Sequence, residues 1–160
     1  MKIDENFTRG FRNNNPMNIV KSKDRWLGKR TPSTDAKFEQ FFEMKFGIRA
    51  ALKILTRYHR DYGLVTVNGI IHRWAPDGGR VERNYISYVE GQMKQSLPDW
   101  DGIVKPKLMH LYELAKAMCW VESHYVLTET AFRMAVDLLP IDYRTHWFFK
   151  KDERRLPWQQ

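Results

Sequence analysis

The chain has 160 residues, the length of one ordinary domain, and 42% of them are hydrophobic and 14% aromatic. This composition can form a sizeable core and excludes wholesale disorder. A single cysteine, Cys119, excludes an intramolecular disulfide framework and a cysteine-based zinc cluster. Lysine and arginine number 27 against 19 acidic residues, a net charge of +8. That charge predicts an anionic partner, either a nucleic acid, a membrane surface or an acidic cell-wall polymer.

The first 35 residues are rich in turn formers and in basic residues. Residues 13–16, Asn-Asn-Asn-Pro, disfavour a helix, because asparagine side chains compete for backbone hydrogen bonds and proline lacks a donor. We see no apolar stretch typical of a secretory signal, and no segment of about 18–20 apolar residues that would span a membrane. We therefore expect synthesis in the cytoplasm, no membrane span, and delivery by other factors to any target outside it.

Apolar residues spaced by three and four predict helices in the middle of the chain. One helix should cover residues 46–62 and end at Gly63, since glycine commonly stops a helix. A second should begin at Thr66 and break at residues 75–79, Ala-Pro-Asp-Gly-Gly. A third should place residues 85–93 with their apolar side chains on one face.

The second half of the chain continues this helical pattern. Residues 97–106 predict a loop, with Pro106 in the first turn of the helix that follows, and a shorter helix should cover residues 128–139. Strand signals are few and centre on residues 38–42. We predict a mainly α-helical single domain over residues 1–160, with a turn-rich segment at 1–35 and a basic, aromatic tail at 140–160.

The apolar stripe of the helix after Pro106 leads to a carboxylate. Counting on by three or four from Met118 and Cys119 gives Glu122. A carboxylate in register with a buried face is costly unless it is paired, hydrogen-bonded or protonated, and burial raises its pKa as a general acid requires. The alternative is that the helix ends near Glu122 and that the side chain reaches solvent.

Two short motifs resemble those of known enzyme families. Residues 120–123, Trp-Val-Glu-Ser, resemble the helix end that carries the catalytic Glu-Ser pair of lytic transglycosylases and goose-type lysozymes. Residues 82–89, Glu-Arg-Asn-Tyr-Ile-Ser-Tyr-Val, resemble the Glu-Thr-Arg-Asn-Tyr-Val-x-Tyr-Val signature of soluble lytic transglycosylases. The resemblance implies that Glu122 is the catalytic acid and that Tyr85 hydrogen-bonds to it.

A third resemblance covers most of the chain. Residues 9–19, Arg-Gly-Phe-Arg-Asn-Asn-Asn-Pro-Met-Asn-Ile, followed by Trp-Leu-Gly at 26–28, resemble a family of phage and mobile-element proteins commonly labelled virion structural proteins. Later matches in order include Arg-Trp-Ala-Pro at 73–76. Met17 replaces the glycine usual in that family, and residues 77–79 replace its Pro-x-Glu-Asn segment.

The order of these motifs is reversed relative to lytic transglycosylases, in which the Glu-Ser helix comes first. We therefore hypothesise a circularly permuted lysozyme-like domain, with the former termini joined near residues 97–106, because domain termini often lie close together. The asparagine turn would then lie beside the acid, in the groove that binds the glycan.

Asparagine amides suit N-acetyl groups and sugar hydroxyls, because each offers an acceptor and two donors. The hypothesis takes these residues as substrate-binding: Asn13, Asn14, Asn15, Asn18, Trp26 and Trp74. The alternatives are that the asparagine run caps a helix and satisfies turn backbone, and that Tyr85 and Trp74 are core residues.

Cutting a glycan strand requires a proton donor, and a hydrolase usually adds a second carboxylate. Glu82 and Asp77 are the nearest candidates by motif, whereas a transglycosylase can work with one glutamate because the sugar's own C6 hydroxyl attacks. We expect a peptidoglycan-cleaving muramidase or lytic transglycosylase without metal or cofactor, acting at the cell wall, in the periplasm or within a virion.

Two other classes remain open at this point. A non-catalytic virion structural or wall-binding protein would keep the fold and contact other virion proteins. A nucleic-acid binder would fit the charge, but the sequence has no zinc-finger spacing, phosphate loop or basic heptad region. We therefore expect no specific nucleic-acid partner.

Overall fold

The computed structural model describes residues 7–148, and within this range the chain is mainly helical. The described helices are α1 (Arg9–Arg12), α2 (Met44–Tyr62), α3 (Val67–Trp74), α4 (Arg80–Ser96), α5 (Leu108–Ser123), α6 (Glu129–Asp137) and α7 (Ile141–His146). Extended pairing in these residues is limited to isolated antiparallel bridges. The predicted mainly α class is confirmed. None of the helices in residues 7–148 is both long enough and apolar enough to cross a bilayer.

Helix boundaries follow the local signals in the sequence. The long helix α2 ends at Gly63, whose φ of 64° lies in the left-handed region that glycine adopts without steric cost. Thr66 caps α3, because its hydroxyl accepts a hydrogen bond from the amide of Gly69 at 3.1 Å. Thr128 caps α6 in the same way, through the amide of Ala131 at 3.2 Å.

Several local predictions differ from the structure. The turn-rich opening contains α1, which forms because the Thr8 hydroxyl accepts from the amide of Phe11. The strand signal at 38–42 corresponds to two isolated bridges, in which Phe38 pairs with Val20 and Phe41 with Lys29. Helix α5 begins at Leu108, so Pro106 precedes it. The predicted tail, residues 140–160, contains α7. Several of the basic and aromatic residues of this tail lie outside the described residues, namely Lys150, Lys151, Arg154, Arg155 and Trp158.

The described chain divides into two compact units. The first comprises residues 7–52 and 118–138, and the second comprises residues 53–117 and 139–148. Large buried apolar side chains of the first unit include Met17, Ile48, Leu52, Met118 and Phe132. In the second unit α3 packs on α4, and the fully buried side chains include Ile70, Ile71, Met93, Leu111 and Trp147. The single lysozyme-like domain over 1–160 and its circular permutation stay predictions.

Candidate functional site

The first unit brings the asparagine turn to the end of α5. Asn18 Nδ2 donates hydrogen bonds to Glu122 Oε1 at 3.1 Å and to the Glu122 carbonyl oxygen at 3.0 Å. Glu122 is the penultimate residue of α5. Its side chain is half-buried, which lies between the buried and the solvent-exposed positions that the sequence allowed. Asn18 has a φ of 54°, a left-handed conformation that asparagine tolerates better than most residues. The amide therefore fixes both the backbone and the carboxyl group of Glu122.

The other three asparagines bind the protein itself. Asn13 Nδ2 donates to Asp35 at 2.9 Å, and Asn14 Nδ2 donates to the Phe41 carbonyl at 2.9 Å. Asn15 is completely buried, and its amide holds the carbonyls of Ile19 and Glu39 and the Ile19 amide. These contacts favour the alternative in which the run satisfies turn backbone. Substrate contacts by Asn13, Asn14 and Asn15 stay predictions.

Asp35 fastens the turn through a network of ionic and hydrogen bonds. The Arg9 guanidinium donates two hydrogen bonds of 2.7 Å to the Asp35 carboxylate. The backbone amides of Lys37 and Phe38 donate to the same carboxylate at 2.8 Å. The Arg9 hydrogen bonds, with those from Phe38, Asn13 and Lys37, hold the pKa of the Asp35 carboxyl well below its usual value. Asp35 therefore anchors the turn as a carboxylate at neutral pH.

Two glycines let the backbone pack tightly around the turn. A Cβ at Gly10 would collide with Ser123 Oγ and would lie 2.8 Å from Asn18 Oδ1. A Cβ at Gly47 of α2 would collide with the carbonyl oxygen of Asn14. Because no side chain larger than hydrogen fits at these approaches, the glycines set the position of the turn against α2 and against the end of α5.

Helix α5 ends in a hydrogen-bonded turn that directs the next residues into a cavity. The amide of His124 donates to the Trp120 carbonyl at 2.9 Å, and that of Tyr125 donates to the Cys119 carbonyl at 3.3 Å. The bond from His124 to Trp120 is that of the αL motif, with His124 in the left-handed position at φ 51°. The Trp120 ring stacks on the His124 ring, with 4.8 Å between the ring centroids. Cys119, on the buried face of the same helix, has a thiol whose pKa is raised by burial.

A cavity of about 410 Å³ lies beside Ser123. Its aromatic wall is a row of rings: Phe7 stacks on Phe11 at 4.8 Å, and Phe11 contacts Tyr125 at 6.2 Å. The remaining lining residues are Thr8, Ser123, His124 and Val126. Phe7 and Phe11 keep 40% and 37% of their surface exposed, so their rings are open to a ligand. Sequence reasoning missed this row, because its members come from segments more than 100 residues apart.

Glu82, predicted as a catalytic carboxylate, is buried at the start of α4 in the second unit. Its Oε1 accepts from the amide of Asp77 at 2.8 Å and from that of Gly78 at 3.2 Å, and His72 Nδ1 lies 3.1 Å from both oxygens. These hydrogen bonds lower the pKa of Glu82, those from Asp77 and Gly78 first. The environment suits a carboxylate that holds the 77–79 loop, and a catalytic role for it stays a prediction.

The remaining predicted residues show little that points to chemistry. Tyr85 is 6% exposed and belongs to the second unit, whereas Glu122 belongs to the first, so their pairing stays a prediction. Trp74 is half-buried and packs edge-on against Tyr58 at 6.1 Å. Trp26 is also half-buried, in the first unit. Sugar stacking by either tryptophan stays a prediction.

The second unit also contains a pair of neighbouring histidines, of which His59 is buried and His146 is half-buried. His59 Nε2 lies 2.5 Å from the Val104 carbonyl, and His59 Nδ1 lies 2.8 Å from His146 Nε2. A carbonyl can only accept, so His59 carries its proton on Nε2, and His146 donates to His59 Nδ1. Burial lowers the pKa of His59, and burial with the neighbouring His59 and Arg60 lowers that of His146 to about 4. Within residues 7–148, no group of three or more histidine, cysteine or acidic side chains is placed to hold a metal ion.

Comparison with known proteins relates the chain to a phage protein. No protein-family model matches it. It is similar to Protein P5 of Pseudoalteromonas phage PM2, with 44% identity over 84 residues. The match covers 51% of this chain and 52% of that protein, so the chain spans about half the length of the curated relative it matches. This similarity supports the phage relationship expected from the sequence.

Proposed function

We propose that this protein is a peptidoglycan-cleaving glycosidase, a muramidase or lytic transglycosylase, in which Glu122 is the general acid. The observation that carries the proposal is the pair of hydrogen bonds from Asn18 Nδ2 to Glu122. A catalytic proton donor must be held in one orientation to work, and this amide fixes Glu122 at the end of a helix. The asparagine motif and the Glu-Ser motif, found separately in the sequence, thus meet at one carboxyl group.

The aromatic cavity beside Ser123 supplies a surface of the kind that carbohydrate substrates need. Ligand sites combine apolar and aromatic walls with a few polar groups. The exposed rings of Phe7 and Phe11, with the half-buried ring of Tyr125, suit the apolar faces of amino sugars, and Thr8 and His124 add polar groups. We infer that the cavity binds the glycan strand and that Glu122, the residue before the lining residue Ser123, protonates the glycosidic oxygen as positive charge develops on the sugar.

The products distinguish the two forms of this chemistry. Purified peptidoglycan would be incubated with the protein, and the released fragments would be analysed by mass spectrometry. A muramidase adds water and leaves a reducing sugar end, whereas attack by the sugar's own C6 hydroxyl leaves an anhydro end, lighter by one water. Release of neither product from accessible peptidoglycan would contradict the proposal.

A second candidate function is a non-catalytic virion structural or wall-binding protein, and the similarity to a phage protein favours it. The two candidates are separated by testing whether the protein that binds cell walls also cleaves them. The catalytic proposal predicts that Glu122→Gln still co-sediments with cell walls but releases no fragments. Co-sedimentation of the wild-type protein without release of fragments would assign it to the second candidate.

A further inference from the structure

The segment that joins the asparagine turn to α2 is strongly cationic. Residues 21–37 contain six basic and two acidic residues, so this segment carries +4 of the chain's net charge of +8. All of it belongs to the first unit. Half of the net charge therefore lies in about a tenth of the chain.

The acidic groups in and next to this segment are largely directed inward. The side chain of Asp35 is 7% exposed and is held by Arg9, and that of Glu39 is fully buried and pairs with Lys29 at 3.1 Å. Asp24 is exposed and accepts from the Ser22 hydroxyl at 3.1 Å. Internal pairing thus removes two carboxylates from the outer surface and leaves the outward charge mainly positive.

Five cations remain on the outside: Lys21, Lys23, Arg25, Arg30 and Lys37 are all exposed. In the described part of the chain, no carboxylate lies within ion-pair distance of Lys23, Arg25 or Arg30. Lys21 and Lys37 lie on neighbouring segments of the backbone, since the amide of Lys21 donates to the Lys37 carbonyl at 2.9 Å. Such unneutralised like charges favour an external anion.

Exposed apolar side chains lie among these cations. Val20 is 56% exposed, Leu27 is 48% exposed and Phe42 is 64% exposed. The Phe42 amide donates to the Gly28 carbonyl at 2.9 Å, which places Phe42 beside the turn that carries Leu27. Because Phe38 pairs with Val20 and Phe41 with Lys29, the alternation of extended backbone puts Val20, Arg30 and Phe42 on one face and Lys21 and Lys37 on the other. We call the exposed side chains of Val20, Lys23, Arg25, Leu27, Arg30 and Phe42 the basic loop surface.

We propose that the basic loop surface binds the surface of an anionic lipid bilayer. Binding at a bilayer interface combines burial of apolar side chains at the headgroup boundary with attraction of lysine and arginine to anionic headgroups. The exposed leucine, valine and phenylalanine favour a lipid over a nucleic acid, whose phosphate backbone offers them no apolar contact. The concentration of positive charge also opposes pairing with a second copy through the same surface.

Flotation with vesicles tests this proposal on the full chain. Vesicles of phosphatidylcholine mixed with phosphatidylglycerol should carry the protein upward, and vesicles of phosphatidylcholine alone should carry much less. Because one cation near a bilayer contributes about a fivefold gain in partitioning, Lys23→Gln with Arg25→Gln should weaken binding about 25-fold. Arg83→Gln with Lys94→Gln, which removes two exposed cations of α4, is the matched control and should change binding less than about twofold.

A second pair of variants tests the apolar part of the surface. Leu27→Ser with Phe42→Ser should weaken binding about tenfold, whereas Val81→Ser, at an exposed position of α4, should leave it unchanged. Unchanged melting by circular dichroism would show that each variant folds. Absence of flotation with anionic vesicles would overturn the proposal. The proposal would also be overturned if duplex DNA displaced the protein from the vesicles and the serine variants bound the vesicles as the wild type does. That result would assign the surface to nucleic acid. The readout is independent of wall cleavage.

Discussion

Asn18 and Glu122 are 104 residues apart in sequence and are joined by the amide of one side chain. The same Nδ2 group reaches the carboxyl oxygen and the carbonyl oxygen of Glu122. A residue that only closed a helix end would need the carbonyl contact alone. The double contact therefore couples the orientation of the carboxyl group to the position of the asparagine turn.

Removing the Asn18 amide should impair cleavage more than stability. Asn18→Gly keeps the left-handed backbone, because glycine adopts it freely, and deletes both hydrogen bonds. With a misplaced proton donor, we expect release of soluble fragments from peptidoglycan to fall on the order of 10²-fold.

The matched control for that variant is Asn14→Gly. Asn14 has a φ of 53°, and its amide bonds to the Phe41 carbonyl. This change should cost about 1 kcal/mol of stability in urea unfolding and leave cleavage nearly unchanged. Equal loss of cleavage in both variants would mean that Asn18 acts only through the stability of the turn.

The close approach at Gly10 predicts a large effect from one methyl group. Gly10→Ala places a Cβ against Ser123 Oγ and Asn18 Oδ1, so we expect a loss of about 1–3 kcal/mol in the free energy of unfolding. Gly91→Ala is the opposite case, since Gly91 lies within α4 with open space around its Cα, and it should gain about 0.5–1 kcal/mol. Similar urea midpoints for the two variants would disprove the packing described around Gly10.

The histidine pair predicts that stability falls in mild acid. Since the pKa of His146 is lowered from 6.5 to about 4, the unfolded chain binds more protons than the folded chain between these values. Stability should therefore decrease as the pH falls through this window. His146→Gln keeps a donor for His59 Nδ1 but does not titrate, so its melting temperature should depend less on pH than that of the wild type. Parallel melting curves against pH would exclude a contribution from His146.

Glu82 should act on stability and not on cleavage. Its folded pKa is lowered, so its stabilising contribution is present above the ordinary value of 4.5 and is lost as the pH falls through the folded value. Glu82→Gln weakens the hold on the amides of Asp77 and Gly78, and we expect a lower melting temperature at neutral pH with normal cleavage well below it. Loss of cleavage with an unchanged melting temperature would instead make Glu82 the second catalytic carboxylate.

The fold class and most helix boundaries could be predicted because their signals are local. Thr66 and Thr128 cap helices through bonds to amides three residues further on, and Gly63 ends α2 through its left-handed φ. The strand signal at 38–42 was misleading, because its alternating side chains serve two isolated bridges and a buried network around Gln40, whose amide donates to Asn13 at 3.0 Å. The number of compact units also depends on contacts that no local pattern reports.

Part of the candidate site could also be predicted from the sequence. Glu122 was found from helical periodicity, and the resemblance to lytic transglycosylases placed the asparagine turn beside it. The roles within the turn could not be divided in advance, since four asparagines look alike in sequence and only burial separates Asn15 from Asn18. The row of Phe7, Phe11 and Tyr125 arises from the distant pairing of α1 with the end of α5, for which the sequence carries no signal.

The most direct test of the central claim is the rate at which Glu122→Gln releases soluble fragments from purified peptidoglycan. Glutamine keeps the shape of the side chain and its contact to Asn18 but cannot deliver a proton, so we expect release to fall to background while the melting temperature is nearly unchanged. Glu113→Gln, on the same helix, should cleave like the wild type. Wild-type rates in Glu122→Gln would contradict the assignment of Glu122 as the acid.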